Sequence, residues 1–214
     1  MLEITRLRKT YSERTVLDIP HMVFEKGAYA IKGSNGSGKT TFFKCICGIA
    51  GFEGDCLIEG VSMKKEPVAY RRLISLAEAE PQFPRFLTLN DLLRFVGKAR
   101  RAGDLQIEEL KEAFDLESFM TQPVRTWSSG MLKKAALALA FMGNPKIICL
   151  DEPFTTIDRP SLRNFIELAA KYRRQYGTAF LISSHVKDAH TWRDYDAVYE
   201  IVNANLVIRS GQDE

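Results

Sequence analysis

The sequence predicts an α/β chain built on a mostly parallel sheet, and three observations predict it. Strand-like and helix-like segments alternate at both ends of the chain, the pattern that packs helices against a parallel sheet. A glycine-rich octapeptide at 33–40 stands between a strand and a helix. A block at about residues 82–143 reads as helix alone, so an all-helical insertion interrupts the alternation. The length of 214 residues suits one elaborated domain over 1–214 rather than two.

The elements follow in order. Three short strands separated by turn breaks are predicted at 2–8, 15–19 and 28–31, the last after Lys26-Gly27. Helical composition runs over 40–49 and ends near Gly51. Residues 57–76 read as short strand-like pieces, 74–76 the best of them, before Pro81 and Pro84 interrupt regular structure. Helices are predicted over 89–99, where Leu89, Leu92, Leu93 and Val96 share a face, and over 107–114 and 131–142. A buried-strand run covers 146–150. A helix at 161–176 carries apolar Leu162, Phe165, Ile166 and Ala169, a strand covers 179–183, and 197–202 with 205–208 form a closing hairpin.

Thirty Lys and Arg against 27 Asp and Glu leave a net charge of +3, too little for the field of a dedicated nucleic-acid binder. Residues 1–9 are charged and lack the apolar centre of a signal peptide, so export is not expected. The longest apolar run, 135–142, falls far short of the ~20 residues of a membrane helix, and the chain is expected not to cross a bilayer unaided. Cys45, Cys47, Cys56 and Cys149 are expected as reduced, buried thiols, because no second Cys or His pair at ligand spacing completes a metal site with Cys45 and Cys47.

Gly33-Ser34-Asn35-Gly36-Ser37-Gly38-Lys39-Thr40 fits G-x-x-x-x-G-K-[ST]. The glycines let the backbone curl until successive N–H groups converge on phosphate oxygens, while the helix beginning near Lys39 points its positive end at the same anion. Lys39 adds a movable charge for the outer phosphates, and the Thr40 hydroxyl is a Mg²⁺ ligand. Thr41 belongs with the same nucleotide-binding set. Further on, 147–150 is an apolar strand ending in Asp151 and Glu152, which puts two carboxylates at the carboxyl edge of the sheet beside the phosphate cradle. Neighbouring side chains at a strand end point different ways. Asp151 can hold Mg²⁺ through its water shell, and Glu152 can orient and deprotonate the attacking water.

Trp127-Ser128-Ser129-Gly130-Met131 resembles the signature L-S-G-G-Q of the ATP-binding-cassette family, and the resemblance extends over essentially the whole chain. It implies a P-loop NTPase (RecA-like) core with a mostly parallel sheet, an N-terminal antiparallel β-subdomain and an inserted α-helical subdomain. It further implies an ATPase in which Ser128 and Gly130, at a helix N-terminus, touch the terminal phosphate of MgATP bound to a second cassette. Ser129 stands where the family has its first glycine and Met131 where it has glutamine. The form S-x-G-M followed by Lys133 and Lys134 is similar to bacterial exporter-type cassettes. By the same resemblance, Asp158 closes a D-loop that meets the partner's phosphate loop, and His185, after Ser184, contacts the terminal phosphate and senses its loss. His21 and His190 are assigned to surface or core, and Tyr11 resembles the aromatic that stacks on adenine. Where the family has a glutamine linking Mg²⁺ and water to the membrane partner, Ala79 falls in register beside Glu80-Pro81, with Glu78 and Glu80 as possible substitutes.

The resemblance implies a cytoplasmic subunit, peripheral on the inner face of the membrane, working with a second cassette and a separate integral permease, with no nucleic acid expected. A soluble non-transport cassette and an ATP-binding regulatory subunit with little turnover are the alternatives. The short stretch beyond His185 is expected to hold no regulatory domain.

Overall fold

The computed structural model describes residues 1–183 and 195–209. Two long strands open it, β1 (Leu2–Tyr11) and β2 (Arg14–Phe24), paired antiparallel with Leu2 opposite Phe24. Both outrun the strands expected at 2–8 and 15–19, because a backbone ladder continues through polar residues once the register is set. Next come β3 (Ala28–Lys32), α1 (Lys39–Ile46), β4 (Glu53–Ile58) and β5 (Val61–Ser62). Strands β4 and β5 complete a four-stranded antiparallel sheet in the order β2-β1-β4-β5.

A correction falls in the stretch expected to hold only strand-like pieces. It contains a helix, α2 (Pro67–Leu73). Pro67 begins it, where the missing N–H has no intrahelical role. Tyr70 fastens it: the side chain is fully buried and its hydroxyl donates to the Ile46 carbonyl at 2.8 Å.

After β6 (Ile74–Ala77) the helical region follows with α3 (Leu89–Arg100), α4 (Asp104–Phe114), two short 3-10 turns and α5 (Ser129–Phe141). Thr88 and Asp91 cap α3 reciprocally. Then come β7 (Ile147–Asp151), α6 (Arg159–Tyr176), β8 (Ala179–Ser183), β9 (Ala197–Val202) and β10 (Asn205–Arg209). The core sheet runs β10-β9-β3-β8-β7-β6, parallel from β9 to β6 with β10 antiparallel at one edge.

Period-2 alternation in the core sheet divides the interior in two. Ile148, Leu150, Phe180 and Ile182 face the helices α3 to α6, where the Phe141 ring contacts Phe114, Phe165, Tyr172 and Phe180. Ile147, Cys149, Ala179 and Leu181 face α1, α2 and the antiparallel sheet. A strand covered on both faces has no polar side, which is why 147–150 is an unbroken apolar run. All four cysteines are buried free thiols, and burial pushes Cys45 up to about 11 and raises Cys56 and Cys149 as well. Among the described residues no cluster of His, Cys, Asp or Glu could hold a metal, and no helix is long and apolar enough to cross a membrane.

Candidate active site

The glycine-rich turn leaves the carboxyl end of β3 and runs into α1. A Cβ at Gly33 would stand 2.4 Å from Ser37 Oγ. Gly38, the N-cap of α1, has φ 109°, where an L side chain is strained, and a Cβ there would press on Val16 at 3.1 Å. The Ser37 N–H donates to the Ser34 carbonyl, closing a tight turn. Lys39, 7% exposed, lies back across the loop and donates to the carbonyls of Gly33 at 2.7 Å and Ser34 at 3.1 Å. Its charge thus sits at the centre of the curl. Ser37 Oγ is buried without a hydrogen-bond partner among the described residues, a polar atom facing the loop it helps shape. Beside the loop is a cleft of about 420 Å³ lined by Arg14, Thr15, Val16, residues 34–37 and the β9–β10 turn. Tyr11 stands apart from that lining. It is 51% exposed at the end of β1, with the Lys9 ammonium 4.5 Å from the ring centroid.

The acid pair sits where its strand predicts. Asp151 is 2% exposed and accepts from Thr40 Oγ1 at 2.6 Å and from Ser183 Oγ. The Ser183 hydroxyl in turn accepts the Glu152 N–H at 3.0 Å. Glu152 takes a left-handed φ of 48°, which for a side chain other than glycine costs roughly 1–3 kcal/mol and persists only where the surroundings impose it. That turn separates the two carboxylates: Asp151 is spent on Thr40 and Ser183, and Glu152 lies beyond them, half-buried. A hydroxyl and a carboxylate facing each other are hard oxygen donors of the kind Mg²⁺ takes, so Thr40 and Asp151 fit that ion.

Sequence reasoning missed Ser183 and Lys133. Lys133 of α5 is 1% exposed, and its ammonium donates to the carbonyls of Glu78, Ala79, Asp151 and Glu152. Burial lowers its pKa while the charges of Asp151 and Glu152 work against that shift. The signal in the sequence is a lysine within a mostly apolar helical run, next to Lys134. Of the three candidates for the missing glutamine, Glu78 forms an ion pair with Lys44 of α1 at 3.3 Å, Glu80 is exposed, and Ala79 offers its carbonyl to Lys133.

At the signature segment Ser128 is the N-cap of α5, its Oγ accepting from the Met131 N–H at 3.2 Å. The Ser128 N–H donates to Met131 Sδ at 3.4 Å. Methionine therefore takes the third-position role that a glutamine side chain serves in a capping box. Trp127 anchors the turn, packed between Phe83 and Phe119 with Nε1 donating to the Gln122 carbonyl. Asp158 caps α6 through the Ser161 N–H and pairs with Lys134 of α5 at 2.9 Å. The Ser161 N–H, with Lys134 beside it, holds the Asp158 carboxyl down to about 2. His21 lies on the surface facing Glu3. Ser184, His185 and His190 lie outside the described residues.

A glycine-rich turn folded around a lysine, with a hydroxyl–carboxylate pair at the carboxyl edge of a parallel sheet, defines the class: a P-loop nucleotide-hydrolysing protein. The family model described as ABC transporter matches residues 18–155, and the chain belongs to that family, as an ATPase. It is similar to the lantibiotic transport ATP-binding protein SrtF of Streptococcus pyogenes, 29% identical over 87% of this chain and 80% of that one. It is similar also to the cytochrome c biogenesis ATP-binding export protein CcmA of Legionella pneumophila, 32% identical over 86% of this chain and 92% of that one. Among solved structures, the dimeric post-hydrolysis state of the ATP-binding cassette MJ0796 with ADP and Pi superposes with a TM-score of 0.83 at 20% identity. That match covers 99% of this chain and 100% of the other, and it bears out the α/β fold with its largely parallel sheet.

Proposed function

We propose that two copies of this chain close head to tail on two ATP molecules, hydrolyse them and reopen, driving a separate membrane subunit that moves solute outward. Gly130 is the observation that carries the head-to-tail arrangement. Its φ is not in the left-handed region, and a Cβ there would come no nearer than 3.5 Å to any atom, the Thr156 carbonyl. Among the described residues no contact and no backbone strain requires a glycine at 130, and the capping bonds of Ser128 stay within its own helix. An exposed helix N-terminus with room for close approach suits a phosphate held on a second subunit. The MJ0796 cassette is itself dimeric with ADP and Pi, which supports a working pair.

Within each site, the N–H groups of 34–41 and Lys39 hold the phosphates, Tyr11 stacks on the base, and Thr40 and Asp151 would hold Mg²⁺. When bound, that ion supplies charge neutralisation between the outer phosphates. Glu152 accepts the proton of the attacking water, Ser128 and Gly130 of the other copy close on the terminal phosphate, Asp158 meets the other copy's phosphate loop, and His185 senses the phosphate's departure. Export is the direction that fits the S-x-G-M segment and the likeness to an export protein. The membrane subunit docks on the groove between α2 and α3. There Val68 and Phe95 are 62% and 74% exposed beside the exposed Arg71 and Arg72, which suits a cytoplasmic segment that is apolar and acidic. On this reading the chain works on the inner face of the membrane.

The test is light scattering on Glu152→Gln saturated with MgATP. A shift from one copy to two is expected, and a protein that stays single at every concentration contradicts the arrangement. Co-purification from membranes with a multi-span protein, lost on Phe95→Glu, tests the docking.

A further inference from the structure

A buried ammonium ordinarily ends on a carboxylate, because an ion taken out of water needs a strong partner. The Lys133 ammonium ends on main chain instead. It donates to the carbonyls of Ala79 and Glu152 at 3.0 Å each, with Glu78 at 3.3 Å and Asp151 at 3.5 Å completing the set. The two loops so held leave neighbouring parallel strands, for Ala77 at the end of β6 pairs with Leu150 near the end of β7. One side chain from the signature helix thus joins three segments of the site: its own helix, the loop that replaces the missing glutamine, and the acid pair.

The consequence falls on Glu152. Its N–H is held by Ser183 Oγ, and its carbonyl by Lys133 and by Thr155 Oγ1 at 2.9 Å. A left-handed residue other than glycine keeps its shape when its surroundings over-determine it, and these bonds do so from both sides of the residue. With φ imposed, the direction in which the Glu152 side chain leaves the backbone is imposed too. Lysine suits this position, because three N–H donors carrying a charge serve several carbonyls at once, which a neutral amide with two donors cannot.

We propose that Lys133 is a positioning residue for ATP hydrolysis, holding the Glu152 carbonyl from the signature helix so that the carboxylate is aimed only while that helix is seated against the core sheet. This rests on Glu152 as the group that activates water. Closure on nucleotide, which loads the N-terminus of α5, then bears on the glutamate of the same chain through Lys133. The acceptors of Lys133 are main-chain carbonyls outside residues 33–40, and the Asp151 carboxylate is held separately by Thr40 and Ser183, so the contacts that bind ATP do not pass through the ammonium.

The test measures ATP affinity with a fluorescent analogue and steady-state turnover for the full-length protein, wild type against Lys133→Met, Lys133→Arg and Glu152→Gln. Lys133→Met is expected to bind ATP within about twofold of wild type and to lose about tenfold or more in kcat at little-changed KM, the mark of a misaimed group rather than a lost contact. Lys133→Arg, able to donate to the same carbonyls, is expected to recover at least about threefold over Lys133→Met. Should Lys133→Met fail to fold, Lys133→Gln takes its place, with kcat expected about threefold or more below wild type at an ATP affinity within about twofold. If Glu152→Gln stops turnover while the folded Lys133 variants keep kcat within about twofold of wild type, the Lys133 inference is overturned and the role of Glu152 stands. If Glu152→Gln itself turns over normally, the role of Glu152 fails and the inference falls with it.

Discussion

Gly38 and Gly130 each stand at the start of a helix whose free amides suit an anion, yet the chain treats them differently. Gly38 is required where it stands, by a left-handed backbone and by Val16 against the missing Cβ. Gly130 has an ordinary helical backbone, and a Cβ there would make only ordinary contacts among the described residues, the nearest 3.5 Å away. The first end is finished within the chain: Lys39 folds into the loop and Thr40 reaches Asp151. The second has a shape whose purpose lies outside the chain. The difference teaches where one site ends and the second copy begins.

Substitutions can break or sharpen that contrast. The largest effects should come from the finished end. Lys39→Ala and Glu152→Gln are each expected to cut ATP turnover by about 100-fold or more, measured as phosphate release, with ATP affinity lost in the first and kept in the second. The next comparison is direct. Gly38→Ala forces a left-handed alanine and should cost ~1–2 kcal/mol of stability in urea titration, together with nucleotide binding. Gly130→Ala should leave stability unchanged or raise it by up to ~1 kcal/mol, since alanine is the better helix former, while turnover falls. A Gly130→Ala protein with full turnover would remove the contrast. Ser128→Ala lies between them: losing the N-cap should cost ~1 kcal/mol and slow turnover at once.

The smallest effect is a pH dependence. The folded Asp158 carboxyl lies near 2, below its ordinary value of 3.8. Because the folded pKa is the lower one, the stability from this cap is fully present above about pH 4 and lost as pH falls through about 2. Melts of wild type and Asp158→Asn should therefore differ at pH 5 and converge toward pH 2.

What the sequence announced was local. The turn at 33–40, the apolar run into Asp151 and Glu152, the strand at 179–183 and the helix over 89–99 all show their spacing within a dozen residues, and the structure places each there, the helix running one residue further to Arg100. What it hid depends on long-range partners. Lys133 stands in sequence simply beside Lys134 after the signature, because its acceptors lie between 18 and 55 residues away. Ser183 looks like the end of a strand until Asp151 and Glu152 are folded against it. Helix α2 has only Tyr70 buried, so no apolar stripe betrays it. Met131 looked like a departure from the signature, and becomes intelligible once its sulfur is seen accepting the Ser128 N–H.

The most direct test mixes two inactive proteins. Lys39→Ala spoils the finished end and Gly130→Asp the open one. In a head-to-tail pair of the two, one site carries both lesions and the other carries neither. The mixture should therefore recover ATP turnover well above the sum of its parts. A mixture that stays at that sum, although light scattering shows the mixed pair has formed, would contradict a nucleotide shared between two copies.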